Sequence, residues 1–106
     1  MINTRGGRIV VRPNNDYTDW HRLATNELRA QKPATGVEKA IVEIKFNLPD
    51  NRARDLTNMA ESIMDLLVDN GILKDDSWQI VKAVTLTAEG IDKANPRAEV
   101  IIHCIK

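Results

Sequence analysis

Apolar and polar side chains alternate with period two through Val42-Glu43-Ile44-Lys45-Phe46-Asn47-Leu48, which predicts a strand with one buried face. Two other stretches carry helical spacing. Trp20, Leu23, Ala24 and Leu28 recur at intervals of three and four and predict a helix from about Asp16 to Gln31, with Pro33 beyond its end. Leu56, Met59, Ala60, Ile63, Leu66 and Leu67 mark the buried face of a second helix, which closes near Asn70-Gly71 with Gly71 as a left-handed cap. Pro49-Asp50-Asn51-Arg52 is turn chemistry between the strand and that helix. Near the front, Arg8-Ile9-Val10-Val11-Arg12 reads as a short β-branched strand stopped by Pro13, and the paired glycines Gly6-Gly7 predict a flexible or turn segment over residues 1–7. Gln79–Thr87 and Ala98–Ile105 predict two last strands with a hairpin-like connection through Gly90 and Pro96. The order β-α-β-α-β-β is α+β: one mixed or antiparallel sheet with two main helices packed against it.

A chain of 106 residues makes a single domain, 1–106, and with 42% hydrophobic and 28% charged residues it is globular, not disordered. Apolar runs such as Val100-Ile101-Ile102 fall far short of the roughly 20 residues of a membrane span, and no apolar leader opens the chain. The single cysteine, Cys104, makes neither an internal disulfide nor a thiolate metal cage, which points to a reducing, cytoplasmic setting. Net charge is zero, but it is divided unevenly. Residues 1–54 carry ten Lys/Arg against six Asp/Glu, and residues 55–106 carry five against nine. A basic half suits a polyanion and an acidic cluster suits a divalent cation; two solvated surfaces that happen to differ are the bland alternative.

The acidic side chains gather about the second helix. Asp55, Asn58, Ser62, Asp65 and Asp69 form one polar stripe at 100° per residue, the expected solvent face. Glu61, Asp65 and Asp69 stand at i, i+4 and i+8, a spacing that destabilises a helix unless a basic neighbour offsets it. Asp55 and the pair Asp75-Asp76 sit instead at the edges of elements, where the backbone is free to aim a carboxylate at a metal held partly through water and phosphate. For Asp55 a plain helix cap serves equally well.

Leu48-Pro49-Asp50-Asn51-Arg52-Ala53-Arg54-Asp55-Leu56-Thr57-Asn58, followed after a helix by Asn70-Gly71-Ile72-Leu73-Lys74-Asp75-Asp76-Ser77-Trp78, resembles the RusA family of Holliday-junction resolvases. That family shows a proline-containing turn, arginines, an Asp-x-Asp-Asn motif, an amphipathic helix, a glycine and a paired aspartate. The resemblance implies a homodimeric, Mg²⁺-dependent endonuclease, with Mn²⁺ as a possible substitute, that nicks four-way DNA junctions in recombination and repair. It implies no membrane and no organic cofactor, and a bacterial or phage-encoded protein. Carried over position by position, it places the motif residues at Asp55 and Asn58 and the later pair at Asp75 and Asp76. The second motif aspartate is Thr57 here, and a lysine found in some relatives is Glu61. Relatives usually begin with a strand ahead of the segment that resembles Gly6–Pro13, so that first strand is expected to be absent.

The expectation is therefore a metal held by Asp55 and Asp76 with Asp75 assisting and Thr57 beside it. Lys74, Arg52 and Arg54 are candidates for the cation that offsets transition-state charge. DNA phosphates are expected on Arg5, Arg8, Arg12, Arg52 and Arg54, with Asn58 beside them. The apolar face of the second helix is a candidate dimer interface, and burial inside the monomer explains that face equally well. Trp20 and Trp78 are expected in the core or an interface, and His21 and His103 have no assigned role. A junction-binding protein that has lost cleavage, and a partner-binding domain with a merely solvated acidic cluster, are the competing readings.

Overall fold

A computed structural model describes residues 2–12 and 17–105, with side chains described over 8–12 and 19–105. Strand β1 (Ile2–Val11) is followed by helix α1 (Tyr17–Ala30), β2 (Ala40–Leu48), α2 (Leu56–Asp69), β3 (Val81–Ile91) and β4 (Arg97–Ile105). The element order is the one expected, and the sheet is mixed. Its spatial order is β1-β4-β2-β3, with β4 antiparallel to both β1 and β2, and β3 parallel to β2.

This order corrects the hairpin expected between the last two strands. After Ile91 the chain passes over the end of β2, where the Asp92 N–H donates to the Leu48 carbonyl at 2.8 Å, and it enters β4 on the far side of β2. Two strand spacings are about 9.6 Å, which the five residues from Asp92 to Pro96 bridge easily. β3 runs parallel to β2 because α2 carries the chain back across the sheet between them, as a βαβ crossover must. The first strand also differs from expectation. It runs back to Ile2, and the glycine pair falls in a register shift between Asn3 and Gly7 instead of in a separate turn. Pro13 and Asp16, read as strand stop and helix start, lie outside the described residues.

Alternation in β2 places Ala40, Val42, Ile44 and Phe46 inward, all within 4% exposure. Val100 and Ile102 of β4 and Ile9 and Val11 of β1 continue the same apolar layer. Over it lie Ala60, Ile63, Met64, Leu66 and Leu67 of α2 and Trp20, Ala24 and Leu28 of α1. The apolar face of α2 is thus buried within the chain, and this explains it without a second subunit. Leu23 departs from the expected helix face and is 45% exposed. Asp55 caps α2 at its start, and Gly71 adopts φ +72° just past its end, as the left-handed cap requires.

β3 is the poorly covered edge. Its register pairs Val84 with Val42, Leu86 with Ile44 and Ala88 with Phe46, so these side chains share the core-facing side of the sheet. Val84 nevertheless remains 43% exposed, Ala88 is exposed, and Leu86 is half-buried. The helical layer stops short of them.

Leu67 has no exposure, so Leu67→Ala is expected to lower unfolding stability by about 2–5 kcal/mol. Urea unfolding followed by circular dichroism checks this, with an unchanged slope showing that the cooperative unit is intact.

Candidate functional site

The β2–α2 turn is held by one carboxylate. Asp50 Oδ1 accepts from Arg54 Nη1 at 2.7 Å and from the Arg52 N–H at 2.9 Å, while Arg54 Nη1 also reaches the carbonyls of Asp50 and Arg52 at 3.3 Å. The Arg54 guanidinium first, and the Arg52 N–H second, hold the Asp50 carboxyl well below the usual carboxylate range. The arrangement leaves Arg54 three-quarters buried and Arg52, 83% exposed, as the more available of the two cations.

Asp55 follows directly. Its Oδ1 accepts from the Thr57 N–H at 3.0 Å, the Thr57 hydroxyl at 2.6 Å and the Asn58 N–H at 3.4 Å. These bonds, led by the Thr57 hydroxyl, hold the carboxyl below its ordinary value. The cap reading of Asp55 is therefore realised. All three bonds go to Oδ1, and among the described residues Oδ2 accepts none. Thr57, expected beside a metal, directs its hydroxyl proton to this carboxylate.

Asp75 and Asp76 lie beyond the other end of α2. The Asp76 N–H donates to Asp75 Oδ1 at 2.9 Å, and both residues are exposed. Lys74 is tied to the segment before β2: its N–H donates to the Val37 carbonyl at 3.2 Å, and its Nζ meets Glu38 Oε1 at 2.7 Å. Fourteen residues of helix span about 21 Å, so within one chain Asp55 and the Asp75-Asp76 pair do not meet. Among the described residues no three of His, Cys, Asp and Glu come close enough together to hold a metal ion. The two acidic groups stand one at each end of α2, and among the described residues neither makes a complete divalent-metal site by itself.

At the Asp55 end, where β1 and β2 finish and β4 begins, a cleft of about 740 Å³ opens. Trp20, Phe46, Met59 and Ile63 contribute its apolar lining, and Arg12, Arg52, Arg54 and Arg97 its charge. Arg12 pairs with Glu27 at 2.6 Å, and Arg97 bonds Asp92 and Glu99, each at 3.0 Å. Arg8 reaches the same Glu99 at 3.1 Å. The side chain of Arg5 lies outside the described residues. Sequence reasoning missed Arg97, whose place beside the cleft follows from β4 lying next to β2; no local pattern around Pro96 signals it. His21, which was given no role, lies 3.1 Å from Asp69 through its Nε2, so the last carboxylate of the acidic stripe has a polar partner on α1. Trp20 is core, as expected; Trp78, expected in the core or an interface, is 73% exposed and so is not core.

Residues 1–103 match the sequence model of a family described as endodeoxyribonuclease RusA. The chain belongs to the RusA family. Among curated relatives, the crossover junction endodeoxyribonuclease RusA of Aquifex aeolicus (strain VF5) is 32% identical over 95 residues, which cover 85% of this chain and 74% of that protein. In this RusA-family chain, the turn with Asp50, Arg52 and Arg54 leads straight into the Asp55 cap, and the acidic pair closes the far end of α2. Among the described residues no helix is long and apolar enough to cross a membrane.

Two outcomes follow for the carboxylates. Asp50, Asp55 and Asp92 all titrate lower in the folded chain, Asp92 chiefly through Arg97. The unfolded chain therefore binds protons first: their stabilisation is complete above about pH 5 and drains as pH falls through the lower folded values. A urea midpoint that falls between pH 5 and pH 2, and falls less in Asp50→Asn, is expected. Separately, Asp55→Ala should lower the midpoint at neutral pH, whereas Asp55→Asn should retain most of it, because asparagine caps a helix as well as aspartate does.

Proposed function

We infer that this RusA-family protein is a structure-specific endonuclease that resolves four-way DNA junctions in recombination and repair, acting as a two-fold dimer with a divalent cation, Mg²⁺ or in its place Mn²⁺. The observation that carries this reading is the placement of Asp55 and the Asp75-Asp76 pair at opposite ends of one helix. A two-fold axis near the middle of α2 sets Asp55 of one copy beside Asp76 of the other. That arrangement generates two equivalent sites for the two cuts a junction requires. The uncovered row of Val84, Leu86 and Ala88 beside α2 supplies apolar surface for such an axis.

In each composite site Asp55 presents its Oδ2, because Oδ1 is engaged in capping. The Asp76 N–H holds the Asp75 carboxylate at the turn, and the exposed Asp76 carboxylate is the one offered to the cation. A divalent cation bound there supplies Lewis-acid polarisation of a phosphodiester and a more acidic attacking water. Arg52, highly exposed beside Asp55, and Lys74, beside Asp76, are placed to offset charge on the phosphate. Arg5, Arg8, Arg12 and Arg54 extend the basic half that meets the backbone, with Asn58 exposed on the first turn of α2. Binding through these cations is expected to weaken steeply as salt rises.

Labelled four-way junction and linear duplex are incubated with the protein, with and without Mg²⁺. Symmetric nicks confined to the junction are expected, lost by at least about 100-fold in Asp55→Asn and in Asp76→Asn while junction binding persists. An equal mixture of the two variants, co-refolded, should regain single nicks, because a mixed dimer contains one site with both substitutions and one with none. No recovery in mixed dimers would place both carboxylates of a site on one chain and overturn the composite arrangement. Junction binding without nicks in Mg²⁺ or Mn²⁺ would instead select the cleavage-deficient reading, which the Thr57 hydroxyl, turned to Asp55 where the family motif has a second aspartate, favours.

A further inference from the structure

Trp78 is a large aromatic side chain that folding has not used. It is 73% exposed, although tryptophan ordinarily hides most of its surface. The turn that carries it is firmly tied: the Ser77 carbonyl accepts from Ile80 N–H at 3.0 Å and Val81 N–H at 2.9 Å, and the Ile80 carbonyl accepts from Ala40 N–H at 2.8 Å. The indole is thus projected into solvent from backbone anchored to the sheet. Lys82 Nζ lies 5.0 Å from the ring centroid, within the range of a cation–π contact. Around it in the chain stand Asp75, Asp76, Ser77 and Gln79, with Asp75, Asp76 and Gln79 exposed.

We propose that Trp78 is a stacking platform for an unpaired base at the crossover of the DNA junction, with Lys82 meeting the adjoining phosphate. Three properties of the site favour a base over other occupants. Charged residues are depleted from the centres of protein interfaces, whereas Trp78 is bracketed by Asp75, Asp76 and Lys82. The two carboxylates repel a phosphate from the ring itself, so what lies on the indole is neutral and flat. Lys82 lies over one face of the indole, so a base stacks on the other, and an aromatic with a cation at hand is the pairing that single-stranded nucleic acid uses, base on ring and phosphate on positive charge. The ring stands two residues from Asp76, so the platform holds the strand next to the proposed cut. The inference rests on the junction-nuclease reading for its substrate, not on cleavage.

The test uses the full chain without divalent metal, a four-way junction and a linear duplex of the same sequence, and 2-aminopurine at the crossover. Trp78→Ala is expected to weaken junction binding by about 5- to 150-fold and to leave duplex binding within about twofold. Trp78→Phe should recover most of the difference, since a phenyl ring still stacks. Wild-type protein should quench the 2-aminopurine, and Trp78→Ala should not. Unchanged junction affinity in Trp78→Ala overturns the proposal. So does a loss accompanied by dissociation to monomers in sedimentation, which would make Trp78 a subunit contact. Wild-type protein that stacks the base yet never nicks in Mg²⁺ refutes the nuclease reading and leaves the platform standing, whereas wild-type protein with no preference for junction over duplex removes both.

Discussion

The packing of α1 and α2 on the inner face of the sheet is the contact on which the rest of the molecule depends. β2 is bonded on both edges, to β4 and to β3, and its alternate side chains are almost wholly withdrawn from water. Leu66 and Leu67 complete that layer from above. Burial of a leucine contributes about 1.5–3 kcal/mol, so these positions hold the direction and height of α2 more firmly than any surface ion pair. A helix fixed in this way acts as a strut. It carries a capped carboxylate at one end and an acidic turn beyond the other, with roughly 21 Å of helix, held by the core, between them. The chemistry at either end cannot drift toward the other without unpacking the sheet.

Charge is arranged on that frame so that few cations are simply loose. Arg54 is folded back on Asp50, Arg97 bridges Asp92 and Glu99, and Arg12 holds Glu27. Such pairs contribute little to stability where solvent screens them, but they order long side chains in advance. A guanidinium already aimed along a surface loses less freedom when a phosphate replaces its carboxylate partner. Arg52 is the contrast: it is far more exposed, and its contact with Asp50 is long at 3.4 Å. The basic half is therefore a mixture of fixed and adaptable positive groups, which suits a backbone read by shape more than by sequence.

Much of this was legible in the residues themselves, for reasons that differ by element. The period-two alternation from Val42 to Leu48 and the spacing from Leu56 to Leu67 report one-sided burial directly, and both elements formed with the faces they imply. The Asp55 cap and the Gly71 cap are local chemistry and were equally readable. Strand order was not. Nothing between Ile91 and Arg97 tells whether a polar loop turns back beside its own strand or steps over the end of another; that depends on β2 already being paired with β3 through α2. Asp55 and Asp76 stand at opposite ends of α2 for a related reason: nearness in a motif is not nearness in space when a rigid helix occupies the interval. Trp78 is kept out of the core by a turn anchored on both sides, which composition does not register.

Thr57 shows how the charge at the start of α2 is balanced. An aspartate there would set two carboxylates in the first turn, favourable toward the helix N-terminus but mutually repulsive. A threonine removes the repulsion and adds a donor, and the 2.6 Å bond to Asp55 is the result. That bond and the capping amides hold Asp55 ionised to lower pH, which favours cation binding. It also fixes one of the two carboxylate oxygens and removes a unit of negative charge from the site, which opposes it. The two effects act on different quantities: the first keeps the remaining ligand charged, the second lowers how many charged ligands there are. Above pH 5 an ordinary aspartate is already largely ionised, so the first effect adds little at neutral pH and the second dominates. In the composite site proposed above, a cation at this end of α2 depends on the acidic turn at the far end of the partner's helix to complete its ligand set, and the departure at Thr57 deepens that dependence.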